Sequence, residues 1–181
     1  VVMDTANELE LVRRCQKGDG HAFEVLVGRY EKPIFNVAFR MLGNYDDAAD
    51  VAQVAFMKAF ENLARYNPAY KFYSWIYRIA INESIDQLNR RKRNTELDEA
   101  RLPDWHTPEQ AVRDTQLSAV MQEALMDVKT DYRTVIVLKH FMDCSYEEIS
   151  GILDIPVKTV KSRLFTARQL LKDRLADTGL L

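Results

Sequence analysis

Apolar residues in this 181-residue chain return at every third or fourth position over most of its length, and they almost never alternate with polar ones. That spacing suits one face of an α-helix and excludes the period of two that a half-buried strand requires. Only six glycines and five prolines interrupt the pattern, so long helices joined by short breaks are expected. The fold class that follows is all-α.

The first apolar sets, Leu9, Leu11, Val12 and Cys15 and then Phe23, Leu26 and Val27, predict two short helices broken at Lys17-Gly18-Asp19-Gly20. A further helix is expected from about Pro33, in its first turn, to Leu42, with Gly43-Asn44 ending it. Asp46 is expected to cap a helix reaching about Tyr66, striped by Ala48, Val51, Ala52, Ala55, Phe56, Ala59, Phe60 and Leu63. Asn67-Pro68 breaks the chain before a helix over about 71–91. The pattern then fades. Residues 95–117 hold 2 Lys/Arg against 6 Asp/Glu and include Pro103 and Pro108, the composition of an acidic linker. Helical spacing resumes over about 116–128, 131–141, 145–153 and 156–175. The expected organisation is a helical domain over 1–94, a linker over 95–115 and a second helical domain over 116–181.

Several function classes find no support. Cys15 and Cys144 lie far apart without a CxxC pattern, and His21, His106 and His140 stand alone, so neither a metal nor another cofactor is expected. No nucleophile–base pair or phosphate-cradling glycine loop is visible, which makes an enzyme the poorest reading. No apolar run approaches the roughly 20 residues that cross a bilayer, and no secretory signal pattern is seen. A cytoplasmic protein is the expectation.

The sharpest local signal lies over 145–171. Ser145 with Glu148 three residues later forms a capping-box pattern. Ile149, Ile152 and Leu153 face a core, and a break near Asp154-Ile155-Pro156 leads into a second helix, the outline of a helix-turn-helix. At roughly 100° per residue, Val160, Leu164, Ala167 and Leu171 share one side of that second helix. Lys158, Lys161, Ser162, Phe165 and Gln169 share the opposite side, with Arg168 and Lys172 alongside. A basic helix of this kind fits the major groove of DNA. Lys161 and Ser162 can hydrogen-bond bases, Phe165 can lie against a thymine methyl, and Lys158 and Arg168 suit phosphates. An ordinary amphipathic helix with a solvated basic face is the plainer alternative.

Two N-terminal segments also stand out. Asp46, Asp47 and Asp50 complement a helix dipole, and Asp50 and Gln53 on an outer face could meet a partner. Farther on, Phe72, Trp75, Ile76 and Ile79 share a core face, Tyr73 and Tyr77 a more exposed one, and Arg78, Asn82 and Asn89 a third. Aromatic residues interleaved with cations, followed by Arg90-Arg91-Lys92-Arg93, suit single-stranded DNA, whose bases need π-surfaces and whose phosphates need charge. A helix with amphipathic tyrosines and a basic end fits the same composition.

Taken in order, these segments resemble the extracytoplasmic-function (ECF) sigma factors of RNA polymerase. The run Asp47 to Phe56 resembles their polymerase-binding helix. Phe72 to Asn82 resembles the helix that handles the minus-ten element. Arg133 to Leu138, Ser145 to Ile149 and Thr159 to Arg168 resemble the minus-thirty-five reader. The resemblance covers about residues 9–176. Ala49 and Val54 stand where the family commonly has glutamate, and Asp143 and Lys158 where it commonly has glycine. The resemblance implies that Asp47, Asp50, Val51, Gln53 and Phe56 dock on the β′ clamp coiled coil of core RNA polymerase. It implies that Arg65, Tyr66, Asn67, Lys71, Tyr73, Tyr77, Arg78 and Asn82 serve the minus-ten DNA. Lys158, Thr159, Lys161, Ser162, Arg163, Phe165 and Arg168 would read the minus-thirty-five element, with the C-terminal domain on the β flap. The linker would thread the polymerase's RNA path, its negative charge standing in for RNA. An anti-sigma factor, often held at the inner membrane, would restrain the protein, which is expected to be a monomer when free and to serve a stress or envelope-response regulon. The competing readings are a free-standing helix-turn-helix regulator, which would bind a palindrome without polymerase, and a helical interaction module without a DNA role.

Overall fold

The computed structural model describes residues 5–68, 70–97 and 115–177, and every regular element among them is helical. The N-terminal unit comprises α1 (Thr5–Gln16), α2 (Gly20–Leu42), α3 (Tyr45–Asn62) and α4 (Phe72–Leu97). The C-terminal unit comprises α5 (Thr115–Asp127), α6 (Thr130–Ile136), α7 (Tyr146–Leu153) and α8 (Val157–Asp177). A 3-10 turn at Leu63–Arg65 follows α3, and a π-turn at Val137–Phe141 extends α6. Most of the acidic linker falls outside the described residues.

Helix α2 departs from the expectation of two pieces. It runs unbroken through Pro33, capped by Asp19, whose carboxylate accepts the Ala22 amide at 3.1 Å. An interior proline removes one backbone donor and crowds the preceding turn. Here Leu26, Tyr30, Ile34, Val37, Ala38 and Met41 are all buried on one side, and that continuous apolar contact outweighs the local penalty. Gly43, in the left-handed region at φ 68°, ends α2 by donating its amide to Phe39 O. The cap of α3 is Asn44, two residues before the expected Asp46; its Oδ1 accepts the Asp47 amide at 2.9 Å.

Helices α2, α3 and α4 pack around a core of Ala48, Ala55, Ala59, Phe72, Ile76, Ala80 and Ile81. Helix α1 lies across α2, tied to it by the Tyr30 hydroxyl, which donates to the buried Glu8 carboxylate, and is tied to the 3-10 turn by Gln16 Nε2, which donates to Leu63 O at 3.0 Å. The small alanines of α3 let it approach its neighbours closely, and Lys58–Glu83 (2.5 Å) bridges α3 to α4. In the C-terminal unit, Leu125, Val135, Leu138, Ile149, Ile152, Val160 and Leu164 form the core.

The two units pack against each other. Arg133 on α6 is buried and donates to Met41 O at the end of α2 (2.5 Å), as well as to Met126 O (2.6 Å) and Val128 O (3.0 Å). Burial pulls its pKa down to about 10, which leaves it charged near neutral pH, and three carbonyls take the place of water. Arg40 on α2 donates to Gln122 on α5 at 2.9 Å and lies over the Phe141 ring at 4.5 Å.

Candidate nucleic-acid interface

The helix-turn-helix is built from local signals that act together. Ser145 caps α7 by accepting the Glu148 amide (3.1 Å), while Glu148 Oε2 accepts the Ser145 amide (2.8 Å), completing the capping box. Asp154 ends α7 in the left-handed region, φ 55°, which aspartate tolerates better than most residues. Ser150 then closes the bend: its Oγ donates to Ile155 O (2.6 Å) and its carbonyl accepts the Ile155 amide (3.2 Å). Asp143, before α7, is likewise left-handed at φ 52°, the conformation that glycine would favour. Pro156 O accepts the amides of Thr159 and Val160, starting α8.

On α8, Val160, Leu164 and Ala167 are buried, and Lys158, Lys161, Ser162, Phe165 and Arg168 are exposed. Phe165 is 68% exposed, a large apolar ring held in water amid cations. The Lys161 ammonium lies 5.7 Å from the Tyr146 ring centre, so α7 steers it along α8. Arg168 donates to His140 Nε2 at 3.2 Å. Arg163 is half-buried and pairs with Asp131 on α6 at 3.0 Å, which gives it a structural tie within the unit. Thr159 is half-buried and accepts the Ser162 hydroxyl through its carbonyl (3.0 Å).

In the N-terminal unit, Arg65 and Asn67 are exposed on the segment before α4, and Arg78 and Asn82 are exposed along α4. The Tyr66, Phe72 and Trp75 rings cluster with centroids 5.3–5.7 Å apart. Tyr66 is buried in that cluster and donates its hydroxyl to Tyr70 O, so it shapes the loop from within. Tyr73 and Tyr77 do lie side by side, 5.9 Å apart, yet Tyr77 is only 6% exposed. The reason is tertiary: Glu8 of α1, Tyr30 of α2 and Cys144, just before α7, all lie close to it. Burial, with Cys144, Tyr73 and Glu8 nearby, raises the Tyr77 hydroxyl pKa above its ordinary value. Lys71 donates to Glu148 at 2.7 Å, and the Tyr73 hydroxyl donates to the same carboxylate.

A third surface lies between α2 and α3: an open groove of about 920 Å³ whose lining includes Phe23, Phe35, Tyr45, Gln53, Phe56 and Phe60. Phe60 and Met57 are 58% and 55% exposed beside it, and the exposed Asp50 lies on the same helix.

Against this geometry stand the relatives. The chain matches Sigma-70 region 2 over residues 26–94 and Sigma-70, region 4 over residues 118–171. It is 37% identical over 178 residues to the ECF RNA polymerase sigma factor SigW of Bacillus subtilis (strain 168), covering 92% of this chain and 95% of that protein. The chain belongs to the ECF sigma factors. Within that family it is also 35% identical over 179 residues to the RNA polymerase sigma-H factor of Pseudomonas aeruginosa, covering 92% of each. It is 33% identical over 177 residues to the ECF RNA polymerase sigma-E factor of Escherichia coli (strain K12), covering 91% of this chain and 92% of that one. Solved structures share the fold as well. CnrH in complex with the cytosolic domain of CnrY superposes with a TM-score of 0.73 at 24% identity, covering 94% of this chain and 98% of that one. RpoE in complex with the anti-sigma factor NepR from Bartonella quintana superposes with a TM-score of 0.75 at 23% identity, covering 85% and 96%. This ECF sigma factor is thus an alternative sigma factor built from sigma regions 2 and 4, and sigma factors are non-catalytic initiation factors. Among its described residues no helix is long and apolar enough to cross a membrane.

For this sigma factor the structure gathers most of the sequence-selected residues on three faces, with telling exceptions. Val51, expected at the polymerase contact, is 6% exposed and packs inside, as the alanines beside it do. Asp47 accepts from Gln87 Nε2 at 3.1 Å and pairs with Arg91, so it ties α3 to α4. Phe60, expected in the core stripe, lies outside with Met57 and Val54. The signal for these three was present: they widen the apolar arc of α3 beyond what the alanine row can bury.

Proposed function

We propose that the chain joins core RNA polymerase through the α2–α3 groove, with Asp50, Gln53 and Phe56 at the contact and Asp47 and Val51 supporting them from behind. Exposed Met57 and Phe60 supply apolar area there, and Asp50 adds charge. The segment 63–71 and α4 hold minus-ten DNA: Arg65, Asn67, Lys71, Tyr73, Arg78 and Asn82 reach the strand, and Tyr66 and Tyr77 back the pocket. Lys158, Lys161, Ser162, Phe165 and Arg168 read the minus-thirty-five element, with Thr159 and Arg163 holding the helix. The division is 1–94 for polymerase and minus-ten binding, 95–115 for the linker, and 116–181 for minus-thirty-five reading on the β flap. An anti-sigma factor is the natural restraint, since relatives of this fold occur in complexes with such partners; anchoring at the inner membrane of a bacterial cell, with this chain cytoplasmic and monomeric when free, completes the proposal.

The observation that carries this reading is the pairing on α8 of a fully buried Val160–Leu164–Ala167 row with an exposed Lys161–Ser162–Phe165 row. A free-standing regulator needs that helix too, but not the groove on α3. Run-off transcription with core polymerase on a library of random promoters tests the proposal. The expected result is a pair of enriched elements at fixed spacing, obtained only when both proteins are present. Equal, palindromic enrichment by the chain without polymerase would instead identify a free-standing regulator.

A further inference from the structure

The π-turn at Val137–Phe141 supports the exposed face of α8 at both ends. Its widened hydrogen bond, from the Met142 amide to Val137 O at 3.1 Å, breaks the α-helical phase. Val137 and Leu138 stay buried, while Lys139 and His140 reach the surface. Lys139 donates to Cys144 O at 3.0 Å and lies 5.6 Å from the Tyr146 ring centre, the ring that Lys161 meets at 5.7 Å. His140 serves the far end of the face: its Nε2 accepts from Arg168 Nε at 3.2 Å. An imidazole nitrogen accepts only in the neutral ring, with the proton on the other nitrogen. Burial, then the Arg168 and Lys139 cations, hold the His140 pKa below its ordinary 6.5, so at neutral pH the ring can accept. Charged groups of the neighbouring helices are engaged elsewhere. Arg40 of α2 lies over the Phe141 ring, Arg133 of α6 donates to carbonyls, and Glu148 of α7 accepts from Lys71 and Tyr73.

We propose that His140 is a positioning residue for minus-thirty-five recognition: as a neutral acceptor it holds Arg168 along α8 with the outer edge of the guanidinium towards a backbone phosphate. The proposal rests on the reading of α8 given above, in which Arg168 meets the duplex. A long exposed arginine loses rotamer freedom when it grips a phosphate. A bond at Nε fixes the side chain beforehand and leaves the two Nη groups for a paired contact with phosphate oxygens. His140 acts through Arg168.

The test is binding of the full chain, assembled with core polymerase, to a fluorescein-labelled duplex carrying the two elements enriched by run-off selection. Anisotropy is read over a series of salt concentrations. Arg168→Ala should weaken binding roughly five- to tenfold and lower the salt slope by about one, as loss of a phosphate contact requires. His140→Ala should weaken it roughly threefold, with a smaller fall in slope. The double variant should bind no more weakly than Arg168→Ala, because His140 then has nothing to hold. His140→Gln, whose amide oxygen can accept from Arg168 Nε, should restore most of the affinity. A side chain that only filled space at the turn would not be rescued in this way, and its loss would add to that of Arg168. In the free chain, the NMR-titrated pKa of the His140 imidazole should rise towards 6.5 in Arg168→Ala. Additive losses in the double variant, or wild-type binding by His140→Ala where Arg168→Ala binds weakly, would overturn the proposal and leave the α8 reading in place. Wild-type binding by Arg168→Ala would overturn both the proposal and the assignment of Arg168 to the DNA backbone. An imidazole titration indifferent to Arg168→Ala would also overturn the proposal, which keeps the test decisive should His140→Ala fold poorly.

Discussion

Helices α4 and α8 carry similar surface chemistry, cations interleaved with aromatic rings, and present it in opposite ways. On α8 the ring of Phe165 and the cations beside it face solvent. On α4 the Tyr77 ring is buried, and Lys71, Tyr73 and Arg78 are engaged by Glu148 and Asp154. Both helices bury an apolar row beneath their cation-bearing face, Ile76 with Ala80 in one and Leu164 with Ala167 in the other. The difference arises from what stands opposite. The loop-closed helix-turn-helix leaves α8 at an edge, whereas α4 sits at the junction of the two units. Chemical competence for DNA and accessibility to it are separate properties, and only the first belongs to the helix itself.

The comparison can be broken hardest from beneath. Ile76→Ala under α4 and Leu164→Ala under α8 should each lower stability by about 2–5 kcal/mol in urea unfolding, the usual cost of emptying a buried aliphatic site. Because α4 lies at the junction, Ile76→Ala should also loosen the C-terminal unit, seen as faster amide exchange in α7; exchange unchanged there would argue against the coupling. Next in size is Arg133→Ala, which strands three buried carbonyls and should cost about 3 kcal/mol. Its melting temperature should fall, and labels on α2 and α5 should move apart by fluorescence transfer. At the open face, Lys161→Ala and Phe165→Ala should each weaken minus-thirty-five recognition by about 1–3 kcal/mol, with polymerase binding retained. Unchanged promoter preference in both would reassign the reading face.

The smallest expected effect is that of acid on the contact of Glu148 with Lys71 and Tyr73. Burial disfavours the Glu148 carboxylate, yet hydrogen bonds from Lys71, Tyr73 and the Ser145 amide outweigh it and bring its pKa down to about 2, from an ordinary 4.5. A depressed carboxylate stabilises the packing of α7 on α4 fully above pH 4.5, and that contribution fades as pH falls toward 2. Label separation between α4 and α7 should therefore grow over that window in the wild type and stay flat in Glu148→Gln. Growth of equal size in both would assign the acid response elsewhere.

Much of the helix-turn-helix was legible because its determinants are local. Ser145 with Glu148, the row Val160–Leu164–Ala167 and the tolerance of Asp143 for a left-handed backbone act within a few residues of one another, so spacing and residue chemistry suffice to read them. The break expected before Pro33 was not realised, because packing along the whole of α2 outweighed a local penalty that the sequence states without its compensation. Tyr77 misled for a similar reason. Its position on α4 marks a face, but the groups that close round it come from α1, from α2 and from Cys144, more than 60 residues along the chain.

The sequence by itself determined an all-helical chain, the membership of its two halves in one family, and which side of α8 carries the polar chemistry, because helical period and capping are short-range physics. Only the tertiary structure decided that Asp47 ties two helices together, that Phe60 stands outside, and that Glu148 serves α7 and Lys71 at once. Those outcomes depend on which surfaces meet, and the meeting of surfaces is set by contacts between residues far apart along the chain.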